Sequence, residues 1–202
     1  MRILLNDNLS GYSETDLNRD LALLPAWRRE QAEHYKHFIG RRNCTLSLLL
    51  LAEGLGVRPS DILPFHYNEH GKPCLTNCTD RESRQIHFNM SHCREAVACI
   101  IADHPCGIDV ESAGRYSESV VRYSMNEDEQ DIIHKSPIPS HAFVRLWTRK
   151  EALLKALGTG IQDNMRDTLS HHTDIDIHTR EHIDRGYILS CCVLTDTKDT
   201  IR

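Results

Sequence analysis

The sequence lacks any hydrophobic run long enough to cross a membrane. A bilayer-spanning helix needs about 20 apolar residues, whereas a leucine-rich stretch such as residues 48–52 has only five. The apolar stretch after Met1 is too short for a signal peptide, and Asp7 follows at once. We therefore expect no membrane partner and a cytoplasmic location, where cysteine thiols stay reduced.

An excess of positive charge is also missing. Lys and Arg number 24 against 29 Asp and Glu, a formal net charge of −5, which argues against a general nucleic-acid binder. Hydrophobic residues make up 40% and charged residues 26%, as in ordinary globular proteins. At 202 residues, the chain is one large domain or two small ones, with enough length to bury a core.

Complete zinc-finger, P-loop and serine-hydrolase motifs are absent as well. Cys74 and Cys78 have a possible metal-ligand spacing with histidines nearby, but no second pair completes a set of four. A zinc-binding interaction protein stays open as an alternative. Lys72 follows a glycine without the P-loop spacing, and no Gly-x-Ser-x-Gly surrounds Ser91.

Apolar periodicity predicts alternating helices and strands. Residues 24–56 are predicted to be mostly helical. Two further helices are predicted over 117–134 and 142–157, separated by a break at Pro137 and Pro139. A strand and turn are predicted over 1–11, and strands over 86–90, 96–102, 106–111, 175–179 and 186–194. The three strands between 86 and 111 suggest one antiparallel sheet.

The two halves share an order of helix, loop, strand, polar turn and apolar strand. We predict an α+β fold made of two similar units, residues 1–106 and 107–202, each a small antiparallel sheet packed on a long helix. They form one compact functional unit.

Two acidic residues share one face of a predicted strand. Asp109 and Glu111 lie two residues apart in Gly-Ile-Asp-Val-Glu, so their carboxylates point to the same side. Two adjacent carboxylates repel each other unless a cation lies between them, and Mg²⁺ is a suitable hard cation. The alternative is a pair of solvated acids on an edge strand.

Further polar residues carry candidate chemistry. Glu151 and Lys155 lie on one helical face with Trp147. They are either a third metal carboxylate and a phosphate-binding lysine, or an ordinary surface ion pair. Ser91 and His92 end a strand and can donate to a phosphate, or form an ordinary turn. Lys72 in Gly-Lys-Pro says little alone, and the basic step at 41–42 is either a solvated helix face or an anion-binding site.

The order of four blocks resembles that of the 4′-phosphopantetheinyl transferases, in their two-lobed, monomeric Sfp-type branch. The blocks are Gly-Lys-Pro at 71–73, Phe-Asn-Met-Ser-His at 88–92, Gly-Ile-Asp-Val-Glu at 107–111 and Trp-Thr-Arg-Lys-Glu-Ala-Leu-Leu-Lys at 147–155. The resemblance implies transfer of the phosphopantetheinyl group of coenzyme A to a serine of an acyl or peptidyl carrier protein. It also implies a monomeric pseudo-dimer with coenzyme A between the halves.

Residue roles follow from the same resemblance. Asp109, Glu111 and Glu151 would bind Mg²⁺, with Mn²⁺ as the alternative ion, and Glu151 would also act as general base. Lys155 would hold the pyrophosphate and stabilise the leaving group, with Asp109 at the same site. The nucleotide end of coenzyme A would be bound by four further residues: Arg42, Lys72, Ser91 and His92.

Two points stay open at this stage. A non-catalytic module that binds coenzyme A or a carrier on the same fold is the alternative function. The basic and apolar segment 115–123, with Arg115 and Arg122, is the candidate surface for an acidic carrier protein.

Overall fold

The computed structural model describes residues 1–75, 85–160 and 165–194. The first part of the chain is one strand followed by three helices: β1 Arg2–Asn6, α1 Glu14–Leu21, α2 Ala26–Glu33 and α3 Phe38–Leu55. Ser13 caps α1 through a capping box with Asp16. Helix α3 ends where Gly56 adopts a left-handed conformation, with φ of 70°.

Between α3 and the next α-helix, the described residues contain a 3-10 turn at Pro59–Asp61 and five strands. The strands are β2 His66–Tyr67, β3 Pro73–Cys74, β4 His87–His92, β5 Val97–Ala102 and β6 Cys106–Ser112. The described residues of the C-terminal part then form three α-helices and two strands: α4 Glu118–Ser124, α5 Glu127–Lys135, α6 Pro139–Leu157, β7 Ile177–His182 and β8 Tyr187–Val193.

The strands form two three-stranded antiparallel sheets and the small β2–β3 hairpin. The first sheet has the order β1-β5-β4 and the second has the order β6-β8-β7. In each case the first strand of the sheet precedes the long helix, α3 or α6, and the other two strands follow it. The two halves therefore repeat one connectivity, as an internal duplication requires.

The two sheets pack face to face, with the long helices outside. On β5, Val97 and Cys99 point into a core that includes leucines of α3. The alternate residues Ala98 and Ile100 join Leu189 and other side chains of the second sheet. Because successive side chains of a strand point to opposite faces, β5 belongs to both cores, and the α+β class is confirmed.

Helix α6 lies unusually close to β6. A Cβ atom at Gly107 would lie 2.0 Å from Ala152 O and 2.5 Å from Ala156 N, which no side chain can tolerate. Glycine therefore lets the backbone of β6 approach the α6 backbone directly. This contact sets the distance between the two carboxylates of β6 and Glu151 of α6.

Several predicted boundaries are wrong. The single helix over 117–134 is two helices, because Met125 is extended and Asn126 caps α5 in a capping box with Glu129. Pro139 begins α6 rather than breaking a helix, since proline suits a first turn. Strand β6 joins the second sheet instead of extending the first, and α1 was not predicted.

Free cysteines contribute to the interior. Of the seven described cysteines only Cys74 is exposed, and all seven are free thiols. Burial raises the pKa of Cys99 and of Cys106 to about 12. In the described part of the chain, none of the helices combines the length and apolar character needed to cross a membrane.

Candidate functional site

Asp109 is the centre of a polar cluster between the two sheets. Strand β6 places its carboxylate inside the protein, where the residue is only 4% exposed. Its Oδ1 accepts hydrogen bonds from Lys155 Nζ at 2.6 Å and from Ser91 Oγ at 2.9 Å. Its Oδ2 has no hydrogen-bond partner among the described residues. One half of a buried carboxylate is therefore left unsatisfied, which is costly without a ligand.

Glu111 lies two residues further along β6 and is half-buried. Its Oε1 accepts a hydrogen bond from Arg115 Nη1 in an ion pair. Burial raises the pKa of Glu111, the charge of Asp109 raises it further, and Arg115 opposes both effects. Each carboxylate of β6 is thus held by one cation of the protein.

Helix α6 brings a third carboxylate to this cluster. Glu151 is 8% exposed, and its Oε1 has no hydrogen-bond partner within the described residues. Burial raises the pKa of Glu151; Lys155 opposes this change, while Asp109 and Glu111 add to it. The spacing of four residues in the sequence places Glu151 and Lys155 one helical turn apart on the side that meets β6.

The donor chemistry of the cluster fits a divalent cation. Asp109 Oδ2 and Glu151 Oε1 are buried carboxylate oxygens that find no partner in the described part of the chain, and such oxygens are the ligands that Mg²⁺ prefers. Within residues 1–75, 85–160 and 165–194, however, no three His, Cys, Asp or Glu side chains are grouped as a ready-made metal site. Lys155 and Arg115 hold two of the carboxylates instead.

Side chains of β4 hold the free edge of β6. Asn89 Oδ1 accepts a hydrogen bond from Ile108 N at 3.1 Å, and Ser91 Oγ accepts one from Val110 N at 3.2 Å. Ser91 thus fixes both the backbone and the side chain around Asp109. Asn89 was not singled out from the sequence, although its alternation with apolar neighbours placed it on the same face as Ser91.

His92 lies at the end of β4, beside the long helix of the first half. Its Nδ1 is 3.3 Å from Asn43 Nδ2. Burial lowers the pKa of His92, and the positive charge of Lys155 lowers it further. Arg42 is 5% exposed; its Nη2 donates to Arg94 O and its Nε to Asn43 Oδ1.

Lys72 links the β2–β3 hairpin to the second half. Its Nζ donates to Cys106 O at 3.1 Å and to Ala156 O at 3.2 Å. Asn68 Nδ2 donates to Gly158 O at 2.8 Å, so the same loop also caps the end of α6. Lys72 therefore binds main-chain carbonyls across the two halves in this structure.

A cleft of about 290 Å³ collects part of the predicted site. Its lining includes Lys72, Asn89, Glu151 and Lys155. Arg42 lines a separate cavity of about 500 Å³ with Tyr12 and Phe38. The structure thus brings the lysines and Glu151 to one cleft and places Arg42 at another.

The remaining sequence candidates lie at the surface or outside the described residues. Cys74 is exposed, and Cys78 falls outside the part of the chain that the structure describes. In the segment 115–123, Arg122 is paired with Glu118, and Tyr123 is 53% exposed.

Comparison with known proteins relates the chain that carries this site to a protein family. Residues 105–195, which contain β6, α6 and the three carboxylates, match the model of the 4′-phosphopantetheinyl transferase superfamily. The resemblance to the 4′-phosphopantetheinyl transferases is confirmed. The match to this transferase model covers the second sheet and its long helix. The third and fourth of the four sequence blocks, at 107–111 and 147–155, fall within it.

Curated relatives extend the transferase likeness into the first half. The chain is 32% identical over 153 residues to the "4′-phosphopantetheinyl transferase gsp" of Aneurinibacillus migulanus, covering 67% of this chain and 60% of the relative. It is 25% identical over 199 residues to the "4′-phosphopantetheinyl transferase Sfp" of Bacillus subtilis, covering 89% and 86%. For the proteins of Aneurinibacillus migulanus and Bacillus pumilus, the chain spans 60% and 58% of the relative's length.

Proposed function

We propose that this protein transfers the 4′-phosphopantetheinyl group of coenzyme A to a serine of an acyl or peptidyl carrier protein. The products are the holo-carrier and adenosine 3′,5′-bisphosphate. The observation that carries the proposal is the buried cluster of Asp109 and Glu151 next to Lys155, in which two oxygens have no partner among the described residues. This cluster lies within the part of the chain that matches the transferase model.

We propose that Asp109, Glu111 and Glu151 hold Mg²⁺, for which Mn²⁺ could substitute. When bound, such an ion neutralises charge on the pyrophosphate of coenzyme A. The two unpartnered buried oxygens support this assignment. Glu111 also pairs with Arg115 in this structure, through one of its two oxygens.

Glu151 is the candidate general base. Its raised pKa, caused first by burial, makes the carboxylate a better acceptor for the proton of the carrier serine hydroxyl than an exposed glutamate. The deprotonated serine oxygen then attacks the β-phosphorus, and the bond from that phosphorus to the bridging oxygen breaks. Lys155 Nζ, already 2.6 Å from Asp109 Oδ1, stabilises the charge on the departing phosphate.

We place the nucleotide end of coenzyme A near four residues of the first half. Arg42, Lys72, Ser91 and His92 offer hydrogen-bond donors, as a polyanion requires, although Arg42 lines a different cavity from the cleft that Lys72 lines. Lys72 lines the cleft with Glu151 and Lys155, and it would exchange its carbonyl partners for a phosphate. This arrangement treats the halves 1–106 and 107–202 as a pseudo-dimer with the active site between them, which their shared strand order supports.

The carrier protein is proposed to dock on the segment 115–123. Exposed Tyr116 and Tyr123 offer aromatic contacts, and Arg122 offers a cation for an acidic partner. Reversing the charge of both Arg115 and Arg122 should weaken carrier affinity; unchanged affinity would contradict this surface. The protein is proposed to act as a monomer without nucleic-acid or membrane partners, in a reducing cytoplasm that suits its free thiols.

The direct test is intact-mass spectrometry of apo carrier proteins incubated with coenzyme A and Mg²⁺. We expect a gain of one phosphopantetheinyl group, and a loss of roughly 100-fold or more in rate for Asp109→Asn and Glu151→Gln. Asp131→Asn, an exposed acid paired with Lys135, is the matched control and should react normally.

Two results would overturn the proposal. No mass gain with any acyl or peptidyl carrier would exclude the transfer. Binding of coenzyme A without transfer would favour the alternative function, a non-catalytic module that binds coenzyme A or a carrier.

A further inference from the structure

Arg115 connects the candidate metal site to an aromatic side chain. Its Nη1 donates to Glu111 Oε1, and its guanidinium carbon lies 5.2 Å from the centroid of the Trp147 ring. Trp147 is one helical turn before Glu151 on α6. The guanidinium is therefore placed between the two elements, β6 and α6, that supply the carboxylates.

The cluster has three carboxylates and two cations of the protein. Lys155 holds Asp109, and Arg115 holds Glu111. The Lys155 side chain is 28% exposed, whereas that of Arg115 is 47% exposed. A half-exposed guanidinium can leave its partner for water at small cost, because ion pairs at that exposure contribute little.

We propose that Arg115 is a place-holder that keeps Glu111 positioned and charge-balanced until a divalent cation binds, and that the cation displaces it. This inference rests on the metal site of the proposed function. A guanidinium and a divalent cation compete for the same carboxylate, since their like charges repel at such short range.

If the cation displaces Arg115, then removing the Arg115 side chain should raise the affinity of the site for Mg²⁺. By linkage, whatever stabilises the cation-free site weakens cation binding by the same factor. Arg115→Ala should therefore bind Mg²⁺ roughly two- to fivefold more tightly than the wild type. Arg115→Lys keeps the charge without the planar fork and should lie between the two.

Calorimetric titration with Mg²⁺, without coenzyme A or a carrier, measures this affinity. Tryptophan fluorescence gives a second readout in a Trp27→Phe background, which leaves Trp147 as the emitter because the chain has two tryptophans. Emission should change with Mg²⁺ when Arg115 is present and change much less in Arg115→Ala. Arg58→Ala removes an exposed arginine from an ion pair with Asp61 and should match the wild type in both readouts.

The outcomes separate this inference from the proposed function. Equal Mg²⁺ affinity in the wild type, Arg115→Ala and Arg115→Lys, with binding abolished by Asp109→Asn, would overturn the place-holder and leave the metal site intact. Absence of Mg²⁺ binding in every variant would overturn both. Thermal denaturation without metal establishes that each variant is folded.

Discussion

The central carboxylates of the site are deeply buried. Asp109 and Glu151 are almost fully enclosed, yet each keeps a carboxylate oxygen without a partner among the described residues. An unpaired buried polar atom destabilises the fold, so the protein retains these oxygens at some cost. We interpret that cost as the mark of a site that gains a ligand.

His92 gives a prediction for pH at the scale of single residues. Its lowered pKa, caused first by burial and next by Lys155, means that the folded protein takes up its proton at lower pH than the unfolded chain. The contribution to stability is therefore present above about pH 6.5, the ordinary histidine value, and is lost as pH falls below it.

Urea unfolding at a series of pH values measures this effect. The free energy of unfolding should drop between about pH 7.5 and 5.5, and it should drop less in His92→Gln; because His92 is an exposed residue at the end of β4, screening by solvent keeps the difference well below about 1.4 kcal/mol per pH unit. His178→Gln, with a side chain 63% exposed, should follow the wild type. Parallel curves for all three proteins would contradict the assignment.

At the scale of elements, the contact of β6 with α6 positions the carboxylates. Gly107→Ala should destabilise the protein by roughly 1–3 kcal/mol, because its Cβ would collide with main-chain atoms of Ala152 and Ala156. Gly114→Ala is the control, since nothing lies within 4 Å of a Cβ there. Chemical denaturation measures both; equal stability of the two variants would refute the role of the contact.

Helix α6 also depends on a buried lysine. Lys150 is fully buried, and its Nζ donates to Glu129 Oε2 at 2.6 Å and to three carbonyls of neighbouring segments. Lys150→Met should cost about 3–5 kcal/mol, because it leaves the Glu129 charge and those carbonyls unpaired. Lys135→Met removes an exposed pair with Asp131 and should cost less than about 0.5 kcal/mol. Urea midpoints compare the two, and similar losses would contradict this reading.

The sequence predicted most elements and the residues of the candidate site, but not how they meet. Alternation of polar and apolar residues identified β4, and short apolar runs identified β5 and β6, because both patterns are local. Local patterns could not place β6 in the second sheet, because that depends on its pairing with β8, which lies far along the chain. The pairing of Arg115 with Glu111 and the carbonyl partners of Lys72 likewise depend on tertiary contacts.

For the whole molecule, the shared sheet interface predicts that the halves do not fold separately. Ala98 and Ile100 of the first sheet are fully buried in a core shared with Leu189 of the second. Fragments 1–106 and 107–202 would expose this surface to water. Circular dichroism should show neither fragment folded alone and the native spectrum only in the mixture; a cooperatively folded single fragment would contradict the prediction.

The reactivity of the buried thiols measures how often each sheet opens. Alkylating reagents attack thiolates, and a pKa of about 12 keeps Cys99 on β5 and Cys106 on β6 protonated while the protein stays closed. Their modification rates therefore count opening events of the first and second sheets, respectively. If the two halves open together, both thiols will be alkylated at the same rate, and the extent of labelling at either cysteine will then measure the opening of both sheets.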